Sequence, residues 1–417
     1  MELNLIGSAI LAGLVLVWNL DFIATLLNLK AFSRGIPEEL SDLLDEAGHA
    51  RAREYATESA RASILESTVS LTALLVFWFA GGFPWLDSLV RARFGDGIPA
   101  GLGFFSFLFL ASHLLTLPFR IHSTFVLEAK FGFNRTTPAT FMADEIKGLL
   151  LAAVLGLPLA AAVLWIFLHV AHAWIWAWLV FTGFQLVLTY LAPTLILPIF
   201  NKFEPMPEGS TREAIEKLAG TCSFPLQGVY VMDGSKRSTR ANAYFIGFGK
   251  SKRIVLYDTL LEKHSDEELV AILAHEIGHF KLRHFHQRLA ASIVQSAVLF
   301  FLLGLATDPH GAFARELSAA FGVQSVSPHT GIVFFLVLFG PVGRLLGVVF
   351  NAWSRRHEFQ ADAFARRATG NPAPLGAALK KLTTDNLSHP TPHRLRVLLD
   401  YDHPPLTERL AALGRDM

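Results

Sequence analysis

His275-Glu276-Ile277-Gly278-His279 lies inside the run from Ser265 to Leu282, and the local structure of that run decides how the chain is read. Ser265 and Glu268 have the spacing of a capping box, and Asp266, Glu267 and Glu268 put negative charge where a helix dipole is positive. Leu269, Ile272, Leu273 and Leu282 follow at helical spacing. The five residues therefore fall in mid-helix. There, two imidazoles four positions apart face one way and can grip one zinc ion. Glu276, between them, is placed to act on a water that the metal acidifies. Taken alone, the motif also fits a surface helix that happens to carry two histidines.

A catalytic zinc needs three protein ligands and one open position for water. Outward along the chain, Glu358 in Arg356-His357-Glu358-Phe359-Gln360-Ala361-Asp362 is a candidate carboxylate ligand. Asp362 follows by one helical turn, so both carboxylates share a face. Glu358 can then bind metal while Asp362 accepts the free ring N–H of a ligand histidine, fixing its tautomer. The competing reading is a solvated acidic face balanced by Arg355, Arg356, Arg366 and Arg367.

The surroundings of these motifs are apolar. Of 417 residues, 52% are hydrophobic and only 17% charged, with a mean hydropathy of +0.41, too apolar for an ordinary soluble protein of this size. Seven stretches are long enough to cross about 30 Å of hydrocarbon: Leu5 to Leu27, Ile64 to Leu86, Gly101 to Phe119, Ile146 to Val170, Trp174 to Phe200, Ala291 to Ala306 and Gly331 to Trp353. The sixth is short and is expected to extend backward, continuous or nearly so with the motif helix. The first lacks a basic n-region and is read as a span, not a cleaved signal. The fold expected is mainly α: a seven-transmembrane-helix protein with a small α+β zinc metallopeptidase region on the cytoplasmic side. The boundaries expected are 1–200 for spans one to five, 201–289 for the metallopeptidase loop, 290–353 for spans six and seven, and 354–417 for a segment supplying the third ligand.

Basic residues stay cytoplasmic during insertion. They gather in the loops after spans one, three and five, for example Lys30, Arg34, Arg51 and Arg53, then Arg120, Lys130, Arg135 and Lys147. The opposite side holds only Arg91 and Arg93 in one loop and Arg315 in another. The N-terminus is therefore expected outside, and His275, His279 and Glu358 all fall on the inner face. Asp21, Glu66 and Arg344 lie in or near apolar spans, where ionisable groups need partners or water. A net charge of +1 and the lack of a basic block with interleaved aromatics argue against nucleic acid. The single cysteine, Cys222, excludes an internal disulfide and reads as a small core residue.

The fifth loop reads as α+β: a helix over Thr211 to Ala219, strands at Gly228 to Met232, Asn242 to Phe248 and Arg253 to Tyr257, and a hairpin-like turn at Gly247, Gly249 and Lys250. Asn242, Ala243 and Tyr244 could form a sheet edge on which a peptide adds as a strand, or simply one arm of a hairpin.

With these motifs in place the chain resembles the type I CaaX prenyl protease family of integral-membrane zinc metalloproteases. The likeness runs from Phe131-Gly132-Phe133-Asn134 through Pro198-Ile199-Phe200-Asn201-Lys202-Phe203 to the tail. Its most specific parts are Asp233-Gly234-Ser235-Lys236-Arg237-Ser238, Asn242-Ala243-Tyr244-Phe245 and Ser354 to Asp362. The resemblance implies one Zn²⁺ per chain held by His275, His279 and Glu358, with Glu276 catalytic and Asp362 an acidic residue often assigned proton donation. The spacing argument above favours an orienting role for Asp362. His403-Pro404-Pro405 with Glu408-Arg409 matches the family's C-terminal pattern and implies His403 and Arg409 beside the substrate or oxyanion. Arg240 stands where relatives often have histidine. The implied substrates are prenylated CaaX C-termini, cut inside a water-filled intramembrane chamber.

Two other functions fit the same residues. A bacterial inner membrane, favoured by the Ala, Leu and Arg content over an endoplasmic reticulum membrane, would suit quality control of non-prenylated membrane-associated peptides. A transporter or channel with a structural metal site would close its coordination and hydrolyse nothing.

Overall fold

The computed structural model describes residues 3–246 and 252–414. Seven helices among them are long and apolar enough to cross a membrane: Leu5–Arg34, Glu46–Phe79, Ile98–Glu128, Pro138–His169, Ala173–Phe200, His284–Thr307 and Pro328–Thr369. Each of the seven overlaps an apolar stretch of the sequence and most outrun it, but the second, expected to reach Leu86, stops at Phe79, where left-handed Gly81 turns the chain into a separate helix, Gly82–Phe94. The helices continue as polar, amphipathic turns beyond the hydrocarbon-length core. The seventh is the extreme case, 42 residues without interruption from Pro328 past Glu358 and Asp362. The boundary expected at residue 353 thus falls inside a helix, as does the one expected at 289.

Only 6–17% of each span's most apolar window is buried, so most of that apolar surface faces away from the protein's own side chains. Burial concentrates toward two ends. At one, Trp78, Phe83, Phe104, Phe321 and Phe334 form an aromatic core with Ile10 and Leu86. Phe321 stacks on Phe334 at 4.1 Å between ring centroids. At the other end lies the peptidase core, built around Ile215, Ile254, Leu256, Leu273 and Ile277. Between the two, Arg344 of the seventh span pairs with Asp21 of the first and with Asp400 near the C-terminus. The intramembrane charge is thereby neutralised by partners.

The peptidase region carries a four-stranded sheet: β1 (Phe203–Pro205), β2 (Leu226–Met232), β3 (Ala243–Ile246) and β4 (Lys252–Tyr257). Its order is β1-β2-β4-β3, with β2 and β4 parallel and the outer pairs antiparallel. β3 is therefore an edge. The short β1 has no alternating pattern to announce it, and the turn expected at Gly247, Gly249 and Lys250 lies outside the described residues. The helix Ser210–Thr221 covers the sheet, and the motif helix Asp266–Lys281 follows β4. Three of the spans contain one-turn π segments, at Ser123–Glu128, Ala152–Gly156 and Ala192–Ile196.

Candidate metal centre

The motif helix begins as its sequence requires. Ser265 Oγ accepts from the Glu268 backbone N–H and the Glu268 carboxylate accepts from Ser265 N–H, so both halves of the capping box are formed. One face of the helix is buried in the peptidase core, and the other meets the seventh span. Gly278 makes that approach possible: a Cβ there would lie 3.2 Å from the Cα and carbonyl oxygen of Ala361. This contact brings Glu358 opposite the two histidines.

His275 Nε2 and His279 Nε2 lie 3.1 Å apart, and each is 3.3 Å from one oxygen of Glu358. Ligands at about 2.0–2.1 Å around a tetrahedral zinc are separated by about 3.3 Å. The carboxylate is 2% exposed, and its Oε2 lacks a hydrogen-bond partner. Lone pairs crowding onto one buried point, one of them orphaned, need a cation, and two imidazoles with a carboxylate are the donors zinc prefers. Among the described residues these three form the one group able to hold a metal ion.

The surrounding residues hold the ligands in place. Asp362 Oδ1 is 2.8 Å from His275 Nδ1, turning that ring's Nε2 inward. Asp362 in turn accepts two hydrogen bonds from Arg409, at 2.8 and 2.6 Å, with both side chains buried. Burial acts to lower the His275 pKa, but the Asp362 and Glu358 carboxylates outweigh it and lift it to about 9, so a cation bound at Nε2 takes the place of a proton. Burial also pushes the Glu276 carboxyl upward, toward the range useful to a general base. His279 Nδ1 faces His284 Nδ1 at 3.0 Å, a contact with no signal in the sequence, since residues five apart do not share a helix face.

Other expected site residues are placed as follows. His403 approaches from the open side, Nε2 3.4 Å from Glu358 Oε2 and Nδ1 2.8 Å from Asp402, with its side chain 57% exposed. A cavity of about 560 Å³ opens beside it, lined by Leu379, Leu382, Tyr401, Asp402 and Arg409 among others. The resemblance set Arg409 beside substrate; in the structure its guanidinium is engaged with Asp362. Asn242, Ala243 and Tyr244 are at the start of the edge strand. That strand is tied to the motif helix through Phe245, whose ring lies 6.1 Å from Phe280, the residue after His279. Just upstream, Arg240 is held by the Tyr55 hydroxyl and the Glu128 carboxylate, from the second and third spans.

Comparison with known proteins agrees with this architecture. Residues 25–202 match a family model described as CAAX prenyl protease N-terminal, five membrane helices, and residues 205–416 match peptidase family M48. A CAAX prenyl protease 1 homologue of Oryza sativa is 36% identical over 91% of this chain and 90% of its own. The Homo sapiens homologue is also 36% identical, over 91% and 88%. CAAX prenyl protease 1 of Saccharomyces cerevisiae is 34% identical over the same shares. The crystal structure of S. mikatae Ste24p superposes with a TM-score of 0.89 at 31% identity, covering 99% of this chain and all of the other.

Proposed function

The chain belongs to the type I CaaX prenyl protease family, integral-membrane zinc endopeptidases of family M48, and on that premise we propose that His275, His279 and Glu358 hold one zinc ion while Glu276 is the general base. The observation that carries the assignment is the convergence of two ring nitrogens and a carboxylate within 3.1–3.3 Å of one another. The transporter and channel readings fall away with the family.

Held by His275, His279 and Glu358, zinc would acidify a water and polarise the scissile carbonyl. The Glu276 carboxylate takes the proton of the attacking water and delivers it to the leaving amine. Asp362, braced by Arg409, keeps the His275 ring in the tautomer that presents Nε2. His403, on the open side beside the cavity, donates a hydrogen bond to the oxyanion that develops on the carbonyl oxygen. A peptide adds as a strand to β3 through the backbone of Asn242, Ala243 and Tyr244.

Glu276→Gln is expected to keep zinc, measured by elemental analysis, and to lose about 10²–10⁴-fold in peptide hydrolysis. Full turnover with metal bound rejects the role. The proposed substrate is a peptide ending in a prenylated CaaX sequence. A farnesylated CaaX peptide should be cut faster than its unprenylated twin, and equal rates would favour a broader quality-control clientele. The loop charges support an outside N-terminus and a metal site on the cytoplasmic side, and the Ala, Leu and Arg content favours a bacterial inner membrane. In a Cys222→Ala background, a cysteine placed at the exposed Glu208 should react with an impermeant maleimide in inverted vesicles and stay unlabelled in right-side-out ones.

A further inference from the structure

We propose that His284 is a positioning residue for the metal site: its neutral imidazole fixes the tautomer and ring orientation of His279, as the Asp362 carboxylate does for His275. The inference rests on reading His275, His279 and Glu358 as the metal site, and it deepens that reading.

The argument is one of proton counting. His284 Nε2 lies 3.0 Å from Gln360 Oε1. An amide oxygen can only accept, so His284 Nε2 carries the hydrogen; buried and stacked on another imidazole, the ring is neutral, and its Nδ1 therefore carries a lone pair. His279 Nδ1, 3.0 Å from that lone pair, must be the donor. The remaining lone pair of His279 is then on Nε2, the atom that faces Glu358. Gln360 therefore sets His284, and His284 sets His279.

The His284 ring has little freedom to leave this arrangement. It is 1% exposed and stacks on His357 with centroids 3.9 Å apart and planes 8° from parallel. His357 is itself hydrogen-bonded through Nε2 to Gln287 Oε1 at 3.2 Å. The chain path is built for the contact. In an unbroken helix a residue five positions on points about 140° away. Here the motif helix ends at Lys281, Arg283 adopts a left-handed φ of 58°, and the sixth span starts at His284. That break turns the His284 ring back to within 5.1 Å of the His279 ring. Glu358 and Gln360 sit on the same helix, so the third ligand and the origin of this proton order are delivered together.

The test compares zinc affinity of the full-length purified protein with that of His284→Asn, His284→Leu and Gln360→Met, by competition with a chelating indicator at fixed pH. Asparagine places an accepting oxygen where His284 Nδ1 stood, so it should stay within about threefold of wild type, while leucine should weaken zinc binding by about 10–100-fold. Gln360→Met, which frees the His284 tautomer, should fall between them. The visible spectrum of the cobalt(II)-loaded protein should shift in the leucine variant and not in the asparagine one. Wild-type affinity in His284→Leu, or equal weakening in asparagine and leucine variants, overturns the proposal. If the leucine variant fails to fold, judged by thermal unfolding of the metal-free protein, the other two decide it: Gln360→Met weaker than a near-wild-type His284→Asn upholds the proposal, and Gln360→Met at the wild-type level or His284→Asn weakened more than about threefold overturns it. A wild-type protein that binds no zinc would instead remove the metal assignment itself.

Discussion

Arg409 and Asp362 show what a single side chain contributes. Their two hydrogen bonds are buried, so removing the guanidinium strands a carboxylate away from water. Arg409→Met is expected to destabilise the folded protein by about 3–5 kcal/mol, read by thermal unfolding, and Arg409→Lys to recover only part because an ammonium cannot make the paired contact. An unchanged melting temperature in the methionine variant would show that Asp362 does not depend on it. The proposed zinc ligands could be picked out of the sequence because their patterns are local: two histidines four apart in the motif helix, and Glu358 four residues before the Asp362 proposed to orient one of them. Arg409 meets Asp362 across 47 residues, and His284 meets His279 at a non-helical spacing. Pattern alone has no purchase on either. Family likeness pointed to Arg409 without revealing its partner.

Among the elements, the packing of the motif helix on the seventh span sets the metal geometry. Gly278 is a point of close approach, where even a methyl group would press on the Ala361 backbone. Gly278→Val should push the two helices apart, lower stability by about 1–3 kcal/mol and weaken zinc binding, because the histidines and Glu358 sit on opposite sides of that seam. Zinc affinity at the wild-type level would mean that the seam tolerates separation. Periodicity located the motif helix and hydropathy the seventh span, and the capping box fixed the start of the motif helix. The ends of the spans were less legible. Hydropathy reports where lipid contact stops, whereas these helices continue as amphipathic turns into the peptidase region, as the stretch from Trp353 to Thr369 does.

Over the whole molecule, the C-terminal segment is fastened to the first span. His389 Nε2 donates to the Asn28 carbonyl at 2.7 Å and its Nδ1 accepts from Thr391 N–H, so the ring is held neutral. Burial depresses its pKa to about 4, and nearby His49 and Arg34 act the same way. An unfolded histidine titrates near 6.5. Between these values the unfolded chain binds the extra proton, so stability contributed by this junction is present above about pH 6.5 and is lost progressively as pH falls toward 4. The loss should reach about 3 kcal/mol, and His389→Gln should flatten that slope in melting curves taken across the range. An unaltered slope would place the acid sensitivity elsewhere. The low burial of the spans was not readable from composition, since an apolar residue facing lipid and one packed inside look alike.

The 42-residue seventh helix has a mechanical corollary. One rod both crosses the bilayer and carries the carboxylate that completes the metal triad. A helix matches a thicker or thinner hydrocarbon layer by changing its tilt, and a rod pivoting in lipid swings its far end the most. Lipid chain length is therefore expected to change the rate of peptide hydrolysis in reconstituted vesicles, transmitted to Glu358 through the part of the helix beyond Pro341, with the clasp at Gly278 resisting the swing.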